Sequence, residues 1–255
     1  MYCIAGKNQC SIDALSYLIS RNDIDKDNLS VCINSDDKGN DNWQPSLMRY
    51  AMDKKISIMS LNDLYKIKNL YFFSLEFDKI IKTKNFLSTN LFNFHFSLLP
   101  KYRGCHTNYL QIKNGETISG VTCHEIDDGI DTGKIIDQLI YKIDINDTSK
   151  DNYFKLMSSA SKLFINLFDQ IISGNYSTTE QKNSDATYFS RKSINYKDEK
   201  INTDEDLIVI HNQIRSLIFP PYQIPIIKNK EIIKSKLFDD HLILTDIDNK
   251  EHIYD

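Results

Sequence analysis

Between residues 2 and 95, short apolar runs alternate with amphipathic stretches, and this alternation constrains the fold more than any other feature of the chain. The runs at 2–5, 29–33, 56–59 and 70–75 are too short for buried helices and are bounded by turn-forming or charged residues, so each reads as a strand. Between them, the stretch from about Ser11 carries Ile12, Leu15, Leu18 and Ile19 on one helical face. Residues 45–54, with Leu47, Met48 and Ala51 apolar, suggest a second helix, and Asn62 stands where it could cap a brief third one through Ile67. Strands and helices in alternation build a mostly parallel sheet flanked by helices, an α/β class. The run LYFFSL at 70–75 is the most apolar and aromatic, which places it at the centre of that sheet.

Residues 91–96, LFNFHF, show the period of two plainly: Phe92, Phe94 and Phe96 alternate with Asn93 and His95. Asn93 and His95 therefore share one face of a strand, about 7 Å apart. An amide beside an imidazole can donate a hydrogen bond to a developing oxyanion and carry a proton. Pro100 and Gly104 then end the strand. The later loop Asp127-Asp128-Gly129-Ile130-Asp131-Thr132-Gly133 contains two glycines, so it can turn sharply and fix the direction of a carboxylate. Asp131 beside His95 would orient the imidazole and favour its charged form. The same spacing also suits a half-buried strand with polar outward residues followed by an acidic surface loop, and spacing alone does not choose between the two.

Residues 107–114 suggest a helix closing at Gly115, followed by strands over 118–125 and 138–143. The clearest helix spans 152–173, where Leu156, Met157, Ala160, Leu163, Phe164, Leu167, Phe168 and Ile171 make one broad apolar face and Gly174 ends it. Polar, turn-prone residues 175–184 mark the end of a catalytic domain over 1–184. Residues 185–255 read as a small β-containing extension. It holds a helix over 204–218, the stiff segment Phe219-Pro220-Pro221-Tyr222-Gln223, and short strands at 224–227, 232–233 and 242–244. Strands this short do not stand alone in water, so Ile232, Ile233, Phe238, Leu242 and Leu244 must be covered by the catalytic domain or by a second copy. A homodimer through this segment is the expectation.

Hydrophobic residues at 41% and charged residues at 26% are ordinary for a globular protein. A formal net charge of −4 gives no overall attraction to a polyanion, which counts against a nucleic-acid partner. No apolar run reaches the roughly 20 residues of a membrane span, and MYCIAGKNQC at the start lacks the pattern of a secretory signal. The expected location is cytoplasmic, with no membrane partner. Cys3, Cys10, Cys32, Cys105 and Cys123 are scattered and odd in number, as suits a reducing compartment. Cys105-His106 and Cys123-His124 lack zinc-site spacing, and adjacent strand residues point to opposite faces, so no metal is expected.

Taken in order, Asn93-x-His95-x-Ser97-Leu98-Leu99-Pro100, Tyr102-Arg103-Gly104, Gly120-Val121-Thr122 and Asp127-x-Gly129-x-Asp131-Thr132-Gly133 resemble the formyltransferase family, and weaker similarity runs over most of the chain. The resemblance implies a Rossmann-like catalytic fold and 10-formyltetrahydrofolate as co-substrate. The family's catalytic Asn, His and Asp fall on Asn93, His95 and Asp131. The resemblance places the pterin pocket along residues 74–81, so Phe77, Lys79 and Ile80, with Asp127 and Gly129 of the later loop, are implied cofactor contacts. Lys79 also stands just past the carboxyl end of a central strand, where α/β folds bind ligands. Gly6-Lys7-Asn8 resembles the sugar-modifying members and implies a substrate phosphate contact at Lys7 and Asn8, at a helix N-terminus suited to anions. It is not GxGxxG, so no dinucleotide site follows. Arg103, Lys79 and Tyr222 complete the implied substrate contacts. Arg215 with Phe219-Pro220-Pro221-Tyr222 resembles the segment that packs beside the nucleotide, where an aromatic ring could stack on a base. By local chemistry the same segment is a rigid linker.

The implied reaction is formyl transfer from 10-formyltetrahydrofolate to the amine of a nucleotide-linked amino sugar. The specific acceptor expected is dTDP-4-amino-4,6-dideoxyglucose, and the product is a formamido sugar for a surface polysaccharide such as O-antigen. Three rivals stay open. A methionyl-tRNA formyltransferase shares the three residues but carries a longer C-terminal domain and a basic face. A formyltetrahydrofolate hydrolase uses them with water, and a folate-binding protein does not need all three.

Overall fold

The computed structural model describes residues 1–254. Its first half runs β1 (Tyr2–Gly6), α1 (Asn8–Ser20), β2 (Leu29–Ile33), α2 (Leu47–Asp53), β3 (Ser57–Ile58), α3 (Leu61–Leu64), β4 (Tyr71–Leu75) and β5 (Asn90–His95). Then come β6 (Arg103–Gly104), α4 (Thr107–Lys113), β7 (Ile118–Glu125), β8 (Ile135–Lys142) and α5 (Ser149–Ile172). The chain finishes with β9 (Tyr188–Phe189), α6 (Leu207–Leu217), β10 (Ile226–Ile227), β11 (Lys230–Leu237), β12 (Leu242–Asp246) and β13 (Glu251–Tyr254).

The main sheet has seven strands in the order β3-β2-β1-β4-β5-β7-β8. The first five are parallel, and β7 and β8 add on antiparallel. Strand β4 lies in the middle, as its aromatic run implies, with Phe72, Phe73 and Leu75 fully buried. The strand period then divides β5 cleanly. Phe92, Phe94 and Phe96 turn to the face covered by α5, where Phe94 meets Phe164 edge-on at 5.7 Å. Leu91, Asn93 and His95 turn to the other face, and Leu91 packs there with Phe72, Ile81 and Phe86. Emptying one of these buried aromatic positions to alanine costs about 3–5 kcal/mol, so the sheet that carries the site is firmly held.

Element ends differ from the sequence expectation where polar side chains cap. Helix α3 is capped by Ser60 and not Asn62: Ser60 and Asp63 form a reciprocal capping box. Helix α5 begins at Ser149, before the apolar stripe, because Thr148 and Asp151 form the same box. Strand β8 begins three residues early, at Ile135, in an edge strand whose polar Asp137 and Gln138 hid it. Strand β13 escaped notice because EHIY, among charged neighbours, shows its pattern only when paired with β12.

Strands β10–β13 form an antiparallel sheet. Its inner face, Ile232, Leu242, Leu244 and Tyr254, buries against Ile210, Ile214 and Ile218 of and just after α6, so the chain itself covers these positions. Two buried polar side chains lock α6 in place. Arg215 donates to the carbonyls of Asp144 and Asp147 and to Asn212, and His211 bridges Ile145 and Ser235. Arg215 is 2% exposed, which excludes it from direct contact with a nucleotide. Residues 188–201 return to the main body: β9 pairs with β6, and Phe189, Ile194, Tyr196 and Ile201 pack around Tyr102 and Tyr109.

Candidate active site

The carboxyl ends of β1, β4 and β5 open into a cleft of about 780 Å³. Between β1 and β4 the connections change sides, so this is the topological switch point at which α/β sheets bind ligands. Three residues that line the cleft and are not glycine hold a left-handed backbone, Glu76 (φ 63°), His106 (φ 62°) and Asp131 (φ 53°), and so does Asn8 (φ 62°) just behind the wall. Such strain persists where the surroundings enforce it, and it clusters at functional sites.

Asn93, His95 and Asp131 meet in the cleft wall. Strand pairing sets the first two: β5 runs antiparallel to β7 with Asn93 opposite His124 and His95 opposite Thr122. Thr122 then pins the turn after β5. Its hydroxyl donates to the Ser97 carbonyl at 2.6 Å and accepts from the Leu99 N–H at 3.1 Å. The Ser97–Pro100 and Gly120–Thr122 motifs therefore act together, as scaffold. Asp131 is the hub. Its Oδ2 accepts the Gly104 N–H at 2.8 Å and lies 3.4 Å from His95 Nδ1. Its Oδ1 accepts the Asn93 amide at 3.2 Å and lies 3.5 Å from His124 Nε2. Burial alone would raise the carboxyl pKa, but His95 and the Gly104 N–H outweigh it and hold Asp131 well below the ordinary carboxylate range. The carboxylate stays charged.

His95 Nε2 donates to the Tyr102 carbonyl at 2.8 Å, which turns Nδ1 towards Asp131. Both ring nitrogens thus face acceptors, an arrangement that can accommodate a proton on each. His124, absent from the sequence reading except as half of a Cys-His pair, is a site residue. Its Nδ1 donates to the Glu125 carbonyl at 2.7 Å, leaving Nε2 to accept the Asn93 amide at 3.1 Å. Its neighbour Cys123 points the opposite way, into the core. The two acceptors of Asn93 lie 3.5 Å apart and subtend a much narrower angle than an amide's two N–H bonds. Each amide hydrogen still reaches one of them, and an oxygen in the cleft can draw one away.

The remaining sequence-predicted residues divide. Lys7, Phe77, Lys79, Ile80, Asp127 and Gly129 line the cleft. Asp127 accepts from the Gly129 N–H and from Thr132, closing the loop. A Cβ on Gly129 would stand 1.9 Å from the Thr132 hydroxyl, so any other residue there would have to displace Thr132. Asn8 lies just behind the wall and donates to Glu76 and Tyr153. Tyr222 stands at the rim, 66% exposed, and its hydroxyl accepts the Trp43 indole N–H at 2.9 Å. Arg103 was expected to touch substrate, but it does not line the cleft. It is 8% exposed, and its guanidinium donates to Gln181 and Asn183 behind the Asp131 loop.

Sequence reasoning also missed Glu76 and Tyr153. The Tyr153 hydroxyl donates to both Glu76 oxygens, at 2.7 and 2.8 Å. Burial raises the Glu76 pKa, against the lowering influence of Tyr153, Lys7 and Asn8. Lys7 pairs with Asp36 at 2.8 Å. Burial would lower its pKa, but Asp36 and Glu76 hold it above the ordinary value. Trp43, the single tryptophan, packs against Tyr153, Phe219 and Tyr222 to form an aromatic lip. Among the described residues, no group of three or more His, Cys, Asp or Glu is arranged to hold a metal ion.

An amide, an imidazole and a buried carboxylate in contact can stabilise an oxyanion and move a proton, the requirements of acyl transfer to an amine. Comparison with known proteins agrees. Residues 76–167, which include all three side chains, match the family model described as formyl transferase. A Macrococcus caseolyticus methionyl-tRNA formyltransferase is 36% identical over 49% of this chain and 40% of its own length. The bifunctional polymyxin resistance protein ArnA of Wigglesworthia glossinidia brevipalpis is 31% identical over 82% of this chain and 34% of its own length. The chain spans half or less of the curated relatives it matches. Two of the solved structures that it matches nearly end to end are more than 40% identical to it. An N-formyltransferase from Helicobacter canadensis, in complex with folinic acid and dTDP-3-aminofucose, superposes with a TM-score of 0.90 at 43% identity, over 99% of this chain and 98% of that one. WlaRD, a sugar 3N-formyl transferase solved with dTDP and 5-N-formyl-THF, gives a TM-score of 0.90 at 44% identity, over 99% and 96%. On the shared fold and this end-to-end identity, the chain belongs to the sugar N-formyltransferase family.

Proposed function

We propose that this protein transfers the formyl group of 10-formyltetrahydrofolate to the amine of a dTDP-linked amino sugar. The observation that carries the proposal is Asp131 holding Asn93 and His95 together, with His124 accepting from Asn93, at the wall of a cleft large enough for two substrates. In this reading the pterin lies against Phe77, Ile80 and the Asp127–Gly129 turn, and the sugar nucleotide enters past Lys7, Glu76 and the Trp43–Tyr222 lip.

The neutral amine attacks the formyl carbon, forming the new C–N bond as negative charge gathers on the formyl oxygen. The Asn93 amide and the positive charge of a protonated His95 stabilise that oxygen. As the bond to the folate nitrogen breaks, His95 gives that nitrogen a proton, and the neutral imidazole left behind takes up the proton shed by the attacking amine. Asp131 keeps the imidazole oriented throughout. No metal takes part in this scheme.

The relatives with 43% and 44% identity were solved with a 3-amino sugar nucleotide or named for 3N transfer, so we favour an amine at C3. The acceptor expected from sequence, dTDP-4-amino-4,6-dideoxyglucose, is the alternative. A dTDP-sugar is an activated glycosyl donor, so a glycosyl transfer consumes the product, and we assign it to surface polysaccharide synthesis in the cytoplasm. We further propose a homodimer. Ile226 and Ile253 are 66% and 69% exposed on the C-terminal sheet, a place for a second copy. The function is tested by incubating the protein with 10-formyltetrahydrofolate and a panel of 3- and 4-amino dTDP-sugars and weighing the products. Formylation of none of them, or release of formate to water alone, would overturn the proposal.

A further inference from the structure

We propose that Gln181 is a positioning residue for Asp131, acting through a closed ring of hydrogen bonds with Arg103 and Gly104. The inference rests on the functional reading above for its link to turnover. Asp131 has a left-handed backbone (φ 53°), which L-residues adopt only when held. The Gln181 amide nitrogen holds it, donating to the carbonyls of Asp131 at 2.9 Å and Gly133 at 2.7 Å. The Gln181 carbonyl in turn accepts Nε and Nη2 of Arg103 at 3.1 and 2.8 Å. The residue after Arg103 closes the ring, because the Gly104 N–H donates to Asp131 Oδ2 at 2.8 Å.

The backbone and the carboxylate of Asp131 are therefore fixed from one tripartite support. Gln181 is itself set in place two residues earlier, where Thr179 and Ile135 exchange backbone hydrogen bonds at 2.9 and 2.8 Å. Gly104 cannot be another residue: a Cβ there would stand 2.1 Å from the Phe189 carbonyl oxygen. Only an amide satisfies both ends of position 181, with two donors for the carbonyls and an acceptor for the guanidinium. A carboxylate would satisfy Arg103 but oppose two carbonyl oxygens. The polar, turn-prone segment read from sequence as the end of the catalytic domain thus carries a support for the catalytic carboxylate.

The test uses Gln181→Glu and Gln181→Met in the full chain. Both variants are expected to lose about 10- to 100-fold in kcat, the scale of a misplaced catalytic group, with KM for both substrates close to wild type. The His95 ring signals in NMR spectra and the pH profile of kcat/KM should move, because the carboxylate 3.4 Å from Nδ1 has shifted. Gln181→Glu keeps an ion pair with Arg103 and should stay folded at the assay temperature, so that turnover falls in a folded protein. A merely structural role would leave the His95 signals and pH profile of the folded variants unchanged. Wild-type kcat and unmoved His95 signals in both variants would overturn the inference. A wild type that transfers no formyl group would instead overturn the functional reading, and the His95 signals would then decide this inference alone.

Discussion

Protonation of one buried histidine is predicted to loosen the support of the cleft lip. His211 is fully buried; Nε2 donates to the Ile145 carbonyl at 2.8 Å and Nδ1 accepts from Ser235 at 2.8 Å. It thereby ties α6 to the loop before α5 and to β11, and α6 leads directly into Phe219 and Tyr222 at the lip. Burial pushes the imidazole pKa down to about 4, against the raising effect of the Ile145 hydrogen bond and with help from nearby Arg215. An unfolded chain takes up this proton near pH 6.5, while the folded one resists it until about pH 4. The stability that neutral His211 confers is therefore full above about pH 6.5 and is lost as the pH falls towards 4. At about 1.4 kcal/mol per pH unit, the loss attributable to this group is about 2 kcal/mol at pH 5. His211→Gln keeps a donor for Ile145 but cannot titrate. Urea melts near pH 7.5 and pH 5, followed by the fluorescence of Trp43, should show the wild type losing about 2 kcal/mol more than the variant across that interval. Equal losses in the two proteins would refute the reasoning.

Other outcomes follow from the site and the extension. His95→Asn and Asp131→Asn should each lower turnover by at least about 100-fold, the scale of lost acid–base assistance, while folate affinity measured by calorimetry holds. A near wild-type rate in either would remove these residues from the chemistry. Tyr222→Ala should weaken sugar-nucleotide binding by about 1 kcal/mol, the scale of an aromatic contact, and leave folate binding unchanged. An equal loss for both ligands would point to a lip that is only structural. Light scattering should give the mass of two chains for the intact protein and of one for Ile253→Glu. A monomeric wild type, or a variant that stays dimeric, would sink the proposed interface.

What could be read from the sequence was what local periodicity encodes. The alternation around Asn93 and His95 fixed their common face, because a strand reverses direction at every residue. The glycines at 129 and 133 marked a turn able to aim Asp131. His124 was out of reach, since its role depends on which strand pairs with β5 and in what register: Asn93 meets it only across the β5–β7 ladder. Arg103 was misplaced for a related reason. Its motif lies beside the site, but its side chain goes where residue 181 returns, which no local pattern states. Glu76 and Tyr153, 77 residues apart, become a pair only through the packing of α5 on the sheet. Trp43 offered one signal, as the single tryptophan in a polar loop, but its partners Phe219 and Tyr222 lie in the extension.

The central claim is that this cleft moves a formyl group onto a sugar amine, and isotope tracing tests it most directly. Wild-type protein is incubated with 10-formyltetrahydrofolate labelled at the formyl carbon and with a dTDP-3-amino sugar, and the product is examined by NMR. The account predicts a labelled formamide whose carbonyl carbon couples through nitrogen to C3 of the sugar, in amounts that collapse when Asp131→Asn replaces the wild type. Label recovered only as free formate, or a formamide formed equally well by the Asp131→Asn protein, would contradict it.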